Sequence, residues 1–243
     1  MMKGFDDYSI PSNPDNTSTH CAIFDLDGTL LDCDSFFLWL RYLMVRRPTR
    51  LCWRIVPMII DALCFKAGWK SNHWAKKRFL THLAGGLKRH QAEALCRPWV
   101  ERLLAKHLRE DALRVLRHHQ KQGNLTILAT ASPDLYANLI CRLLDMDLCL
   151  ATRLHWTPDH CISGQLVGDN CYGEVKRDMV VEWLKKSGRM AADGTCHVTI
   201  DVWSDHHSDL PLLLIADQGY AINPTPKLKQ LASSHSLNVI HWN

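Results

Sequence analysis

The ten cysteines include no pair three residues apart, so the chain carries no CxxC metal or redox motif. Its opening, MMKGFDDYSIPSNPDNTSTH, is polar and lacks the apolar stretch of a secretory signal. Without export, the cysteines are expected as reduced thiols, several of them in the core. There is no glycine period, low-complexity tract or fixed-period repeat, which excludes collagen-like, linker and solenoid architectures. The most apolar run, Leu51 to Phe65, is broken by Arg54, Pro57 and Asp61. A spanning helix needs about 20 predominantly apolar residues and tolerates central charges poorly, so a span is excluded. A helix lying on a membrane surface is not.

What is present suits a folded protein. The 243 residues are 47% hydrophobic and include nine Trp, which rules out a mainly disordered chain. This length buries about 70% or more of the unfolded surface without staples. It fits one domain with a large insertion, or two small ones.

The formal net charge of +4 says little, but its distribution says more. Between Arg41 and Arg89 stand twelve Lys and Arg against one acid, Asp61. Trp53, Trp69, Trp74, Phe65 and Tyr42 are interleaved with them. Such a stretch reads either as a solvated basic face or as a surface for anionic partners: lipid headgroups, phosphorylated ligands or nucleic acid. No recognisable nucleic-acid module accompanies it, so nucleic acid is not expected.

Along the chain, residues 1–19 read as a flexible tail. CAIF is a short buried-strand pattern stopped by an acid-and-glycine turn. Asp34 can cap a helix that ends at Pro48, and further helices are expected over 51–67, 72–83, 88–108 and 111–121. LTILATASP is strand-like and leads into a helix over 134–144. Two extended pieces, 148–156 and 161–167, read as a hairpin. A helix over 174–186, the strand CHVTIDVWS, an apolar helix over 210–215 and the closing strands GYAIN and NVIHW complete the chain. Strands alternating with helices predict an α/β fold with a Rossmann-like parallel sheet. The core is expected over 20–33 and 109–243, with an all-helical cap inserted at 34–108.

Asp25 and Asp27 end the first strand as D-L-D-G-T, at the sheet edge where open α/β folds bind ligands. Such close carboxylates repel, and a cation or a shared proton relieves them. An acidic turn or helix cap is the bland reading. A calcium loop fails, because Thr29, Leu30 and Phe36 fall where an acid, Gly and Glu are needed. A DxD sugar-nucleotide site would leave the polar residues at the later strand ends without a role. Thr130 closes the second strand, Lys176 begins a helix, and Asp205 and Asp209 come after a third strand. Singly, each is weak. Together, acids, a hydroxyl and a lysine on one parallel sheet make a phosphoryl-transfer site.

DLDGT at 25–29, Thr130, Lys176 and SDHHSD at 204–209 resemble, in order, the four motifs of the haloacid dehalogenase superfamily of phosphatases. The helical insertion and the 148–167 segment resemble its phosphoserine-phosphatase-like branch (subfamily IB, with a C1 cap). The resemblance implies Asp25 as nucleophile and Mg²⁺ ligand. It implies Asp27 as general acid/base, binding Mg²⁺ through its carbonyl, and Asp205 as a further ligand. Thr130, Ala131 and Lys176 would hold phosphate, Asp209 would support the metal or Lys176, and Asp34 would contact substrate. The sequence departs from the pattern at Ser204, at Ser208 and in the Ala131-Ser132-Pro133 turn, which counts against phosphoserine itself. His206 and His207 read as loop residues flanking the site rather than metal ligands.

The implied activity is Mg²⁺-dependent hydrolysis of a phosphomonoester through an aspartyl-phosphate. The substrate would be a small phosphorylated metabolite or a lipid phosphate. The alternatives are a phosphatidylglycerophosphate-type lipid phosphatase at the membrane surface and a non-catalytic membrane-surface adaptor. A cytoplasmic location is expected, extended to the periphery of an anionic membrane if the basic cap binds one.

Overall fold

The computed structural model describes residues 18–243, so most of the expected tail lies outside the described residues. Six strands form one parallel sheet in the order β3-β2-β1-β6-β7-β8. They are β1 (His20–Phe24), β2 (Leu125–Pro133), β3 (Leu148–Thr152), β6 (Thr199–Ser204), β7 (Gln218–Ile222) and β8 (Asn238–Ile240). A small antiparallel pair, β4 (Leu154–Trp156) and β5 (Ile162–Leu166), stands apart. This is the Rossmann-like α/β architecture that the strand–helix alternation predicts.

β1 is central, in register with β2 on one side (Cys21 opposite Leu125) and β6 on the other (Cys21 opposite Ile200). Its alternate residues enter two cores, as a two-residue strand period requires. Ala22 and Phe24 pack with α5 (Glu110–Lys121) and α6 (Asp134–Leu143); Cys21 and Ile23 pack with α7 (Glu174–Lys186), α8 (Leu210–Leu213) and α9 (Pro226–Ser234).

Four helices stand between β1 and α5: α1 (Ser35–Arg46), α2 (Pro48–Lys66), α3 (Asn72–Leu83) and α4 (Arg89–His107). The expected Asp34 cap is present, its Oδ1 accepting from the Phe37 N–H at 2.8 Å. The chain leaves and re-enters the core as a close pair, with the Asp32 N–H donating to the His107 carbonyl at 3.0 Å.

Three expectations need correcting. The 148–156 piece is not one arm of a hairpin. Its first half, β3, is the parallel edge strand of the main sheet, and only Leu154–Trp156 pairs with β5. Burial divides the two halves at exposed Arg153. The third motif strand starts at Thr199 rather than Cys196, because Cys196 bridges back to Met190. The 210–215 helix is a turn of 3₁₀ helix, His207–Asp209, followed by only Leu210–Leu213.

Candidate active site

Asp25 directly follows β1, and its N–H donates to the Trp203 carbonyl at 3.0 Å, extending the pairing with β6. The chain then turns at Gly28, whose φ of +80° favours glycine. A Cβ at Gly28 would lie 2.3 Å from Asp205 Oδ2, so the bare backbone forms one wall of the carboxylate's cradle.

Lys176, in the first turn of α7, ties two motifs together. Its Nζ donates to Asp25 Oδ1 at 2.8 Å and to Asp209 Oδ2 at 2.6 Å, and Asp209 Oδ2 also accepts from Ser204 Oγ at 2.8 Å. Lys176 and Asp209 are almost wholly buried. Burial alone would lower the Lys176 ammonium, but the Asp209 and Asp25 carboxylates hold it well above the ordinary lysine value. Burial raises Asp25 despite Lys176, with Asp209 and Asp205 adding repulsion. Burial, then Asp209, pushes Asp205 up to about 7. One lysine thus faces more carboxylate than it neutralises.

Asp27 is held at both oxygens. Oδ1 accepts from the Ser35 N–H at 2.7 Å and Oδ2 from Ser132 Oγ at 2.8 Å. Burial raises its pKa, against those two hydrogen bonds. The hydroxyls of Ser35, Ser132 and Tyr136 form a buried triangle with edges of 3.0–3.2 Å.

At the end of β2, the Ser132 N–H donates to Thr130 Oγ1 at 3.0 Å. The Thr130 hydroxyl keeps its own proton to donate. The Ala131 carbonyl faces Thr152 Oγ1 at 2.7 Å and Lys76 Nζ at 2.5 Å. Lys76 comes from α3 and also donates to Asn170 Oδ1 at 2.8 Å. Burial pulls its pKa down to about 8, against the nearby Asp27 carboxylate.

Asp25, Asp27, Asp34, Thr130, Ala131 and Lys176 line one cavity of about 440 Å³. Asp205 and Asp209 line it too, so all the sequence-derived candidates meet at the carboxyl ends of β1, β2 and β6. His206 reaches the same cavity, its Nδ1 2.8 Å from Ser208 Oγ and its ring centroid 4.1 Å from that of His207. A second cavity of about 520 Å³ lies along the outer edge of β3, between Asp134, Trp156 and Trp183, and contains none of the candidates.

The residues fit a hard divalent cation. The Asp25 and Asp205 carboxylates and the Asp27 carbonyl are an all-oxygen set, which Mg²⁺ prefers. The surplus of buried carboxylate and the cradle closed by Gly28 suit the same ion.

Sequence reasoning missed Lys76, Thr152, Asn170 and the Ser35–Ser132–Tyr136 triangle. Lys76 is one of twelve bases in its segment, and only the packing of α3 distinguishes it.

The family model for haloacid dehalogenase-like hydrolases matches residues 22–214. Protein CicA of Caulobacter vibrioides is 32% identical over 200 residues, covering 82% of this chain and 84% of that protein. Histidinol-phosphatase of Neisseria meningitidis is 23% identical, covering 91% of this chain and 98% of its own. A Bordetella pertussis protein of unknown function superposes with a TM-score of 0.78 at 25% identity, over 92% of this chain and 99% of that one. A substrate-bound phosphoserine phosphatase superposes with a TM-score of 0.60 at 16% identity, over 91% of this chain and 93% of that one, a likeness of fold. With four ordered motifs gathered in one cavity and a family match spanning most of its length, the chain belongs to the haloacid dehalogenase-like hydrolases, with the phosphoserine-phosphatase-like fold.

Proposed function

We propose that the protein is a Mg²⁺-dependent phosphomonoesterase working through an aspartyl-phosphate, with residues 34–108 as the cap over its site. The observation that carries this reading is Lys176 bridging Asp25 and Asp209 inside the cavity that Asp27, Thr130 and Asp205 also line. Phosphatase activity in the histidinol-phosphatase relative supports the reaction class.

In the first half-reaction, an Asp25 carboxylate oxygen attacks phosphorus and the bond to the ester oxygen breaks. Asp27 gives its proton to that leaving oxygen, a role suited to a carboxyl whose pKa burial raises. In the second half, Asp27 takes a proton from water, the water oxygen attacks phosphorus, and Asp25 is released with inorganic phosphate. Thr130 and Lys176 donate to the equatorial oxygens as charge develops. Bound Mg²⁺, held by Asp25, Asp205 and the Asp27 carbonyl, would supply Lewis-acid neutralisation of the phosphate. Asp34 and Lys76 line the same cavity, which supports a part for them in meeting the rest of the substrate.

A small phosphorylated metabolite is the first substrate reading. A lipid-borne phosphomonoester is the second, favoured by the large apolar side chains that the inserted helices leave exposed. The test is phosphate release with and without Mg²⁺ across soluble and lipid phosphomonoesters, with Asp25→Asn as control. At least a thousandfold loss in Asp25→Asn is expected; equal release by variant and wild type overturns the mechanism.

A further inference from the structure

α2 packs inward through half-buried Met58 and a buried charge while leaving most of its hydrocarbon outside. Its inward side carries charge: Asp61 is buried and accepts from Arg78 Nε at 2.7 Å, with His82 Nε2 at 2.6 Å. Its outward side carries hydrocarbon. Val56, Ile59, Ile60 and Leu63 are 64%, 51%, 54% and 62% exposed, and Trp53 is 87% exposed. At 100° per residue these five fall on one arc of the helix, roughly opposite Asp61. Isolated exposed apolar residues are ordinary, but a continuous stripe along a helix is not.

α1 exposes apolar side chains as well. On α1, Phe37 and Val45 are exposed at the two ends of one helix face, with exposed Arg41 between them. Phe37 follows Phe36, which lines the catalytic cavity. Exposed Lys66 borders the apolar arc on α2, and Arg46, Arg54 and Lys70 are exposed on or beside the same two helices.

We infer that this face of α2 seats on the surface of an anionic lipid bilayer, with its apolar stripe entering the headgroup–acyl boundary. Charge selects this occupant over a second copy of the chain. A two-fold pairing of these faces would set two strongly basic surfaces against each other, whereas anionic headgroups neutralise them. No helix among the described residues is long and apolar enough to cross a membrane, so α2, about 28 Å long, would lie in the interface plane. The inference rests on the helix surface and is independent of the phosphatase reading.

The experiment is co-sedimentation of the full chain with phosphatidylcholine vesicles and with phosphatidylcholine–phosphatidylglycerol vesicles, at low and high salt. It compares wild type with the double variant Ile59→Glu, Leu63→Glu. Wild type should bind the anionic vesicles at least tenfold better than the neutral ones. The double variant should lose at least tenfold while retaining the wild-type thermal transition and hydrolysis of a soluble aryl phosphate. No binding to anionic vesicles overturns the inference. So does binding that the double variant leaves unchanged, since the apolar stripe would then do nothing. A wild-type dimer that the double variant dissociates also overturns it, by making the face a self-interface. Lack of aryl-phosphate hydrolysis in both proteins would count against the phosphatase reading alone.

Discussion

The Lys76 ammonium, carried by α3, donates to the Ala131 carbonyl at the end of β2, 2.5 Å away. The inserted helices thereby hold the turn that the phosphate is expected to occupy. Lys76→Met should leave the Ala131 carbonyl and the Asn170 amide oxygen short of a donor in a buried place, costing about 1–3 kcal/mol of stability. A loss of roughly tenfold or more in kcat/KM should accompany it. Steady-state kinetics and a urea titration check both. An unchanged kcat/KM would show that the turn keeps its geometry without Lys76.

Gly28→Ala is expected to be far more damaging than its single methyl suggests. The new Cβ would lie 2.3 Å from Asp205 Oδ2, at a φ of +80°. Either the carboxylate moves out of its cradle or the turn opens. Mg²⁺-dependent activity should fall at least a hundredfold, with a stability loss of about 1–3 kcal/mol. Near-normal activity in this variant would mean that Asp205 has room the structure does not give it.

Removing the bridging lysine should depend on pH in a definite direction. In Lys176→Met, Asp25 and Asp209 lose the cation both of them touch. Breaking such a buried pair costs about 3–5 kcal/mol when the carboxylates stay charged. At lower pH the Asp25 carboxyl, whose pKa burial raises, takes up a proton and the penalty shrinks. Denaturant titrations at pH 8 and pH 5 should therefore show the larger deficit at pH 8; an equal deficit would contradict this.

Asp134 offers a test away from the catalytic cavity. Burial pushes its carboxyl up to about 6 from 3.8, although it accepts from the Leu154 N–H at 3.1 Å. Between about pH 4 and pH 6 the folded protein binds this proton more tightly than the unfolded chain does, so stability falls as pH rises through that window. Asp134→Asn keeps an acceptor for Leu154 and does not titrate. Its Tm minus that of wild type should become more positive from pH 4 to pH 7. A difference flat with pH would refute the assignment.

Much of the site was readable from residue types because the relevant side chains sit at strand ends. Asp25, Thr130 and Asp205 each follow or close an apolar run, and a parallel sheet brings such ends to one rim. Asp34 has the local pattern of a cap and is one. What could not be read depended on distant packing. Leu148–Thr152 looks the same locally whether it joins a hairpin or a parallel sheet, and only its pairing with β2 decides. Lys76 has no local mark, since its burial comes from the fit of α3 over Ala131 and Asn170. The inward charge of α2 was likewise hidden, because Asp61 in an apolar run reads as an interruption until Arg78 and His82 are found beside it.

The central position of β1 has a consequence for the protein's birth. Cys21 finds its neighbours only at Leu125 and Ile200. At a synthesis rate of about 5–20 residues per second, a nascent chain waits on the order of ten to thirty seconds between making this strand and making its second partner. For that interval at least one edge of an apolar strand destined for the middle of the sheet stands unpaired outside the ribosome. Slowing translation of the stretch before Thr199, or depleting holding chaperones, should therefore lower soluble yield without touching one catalytic atom.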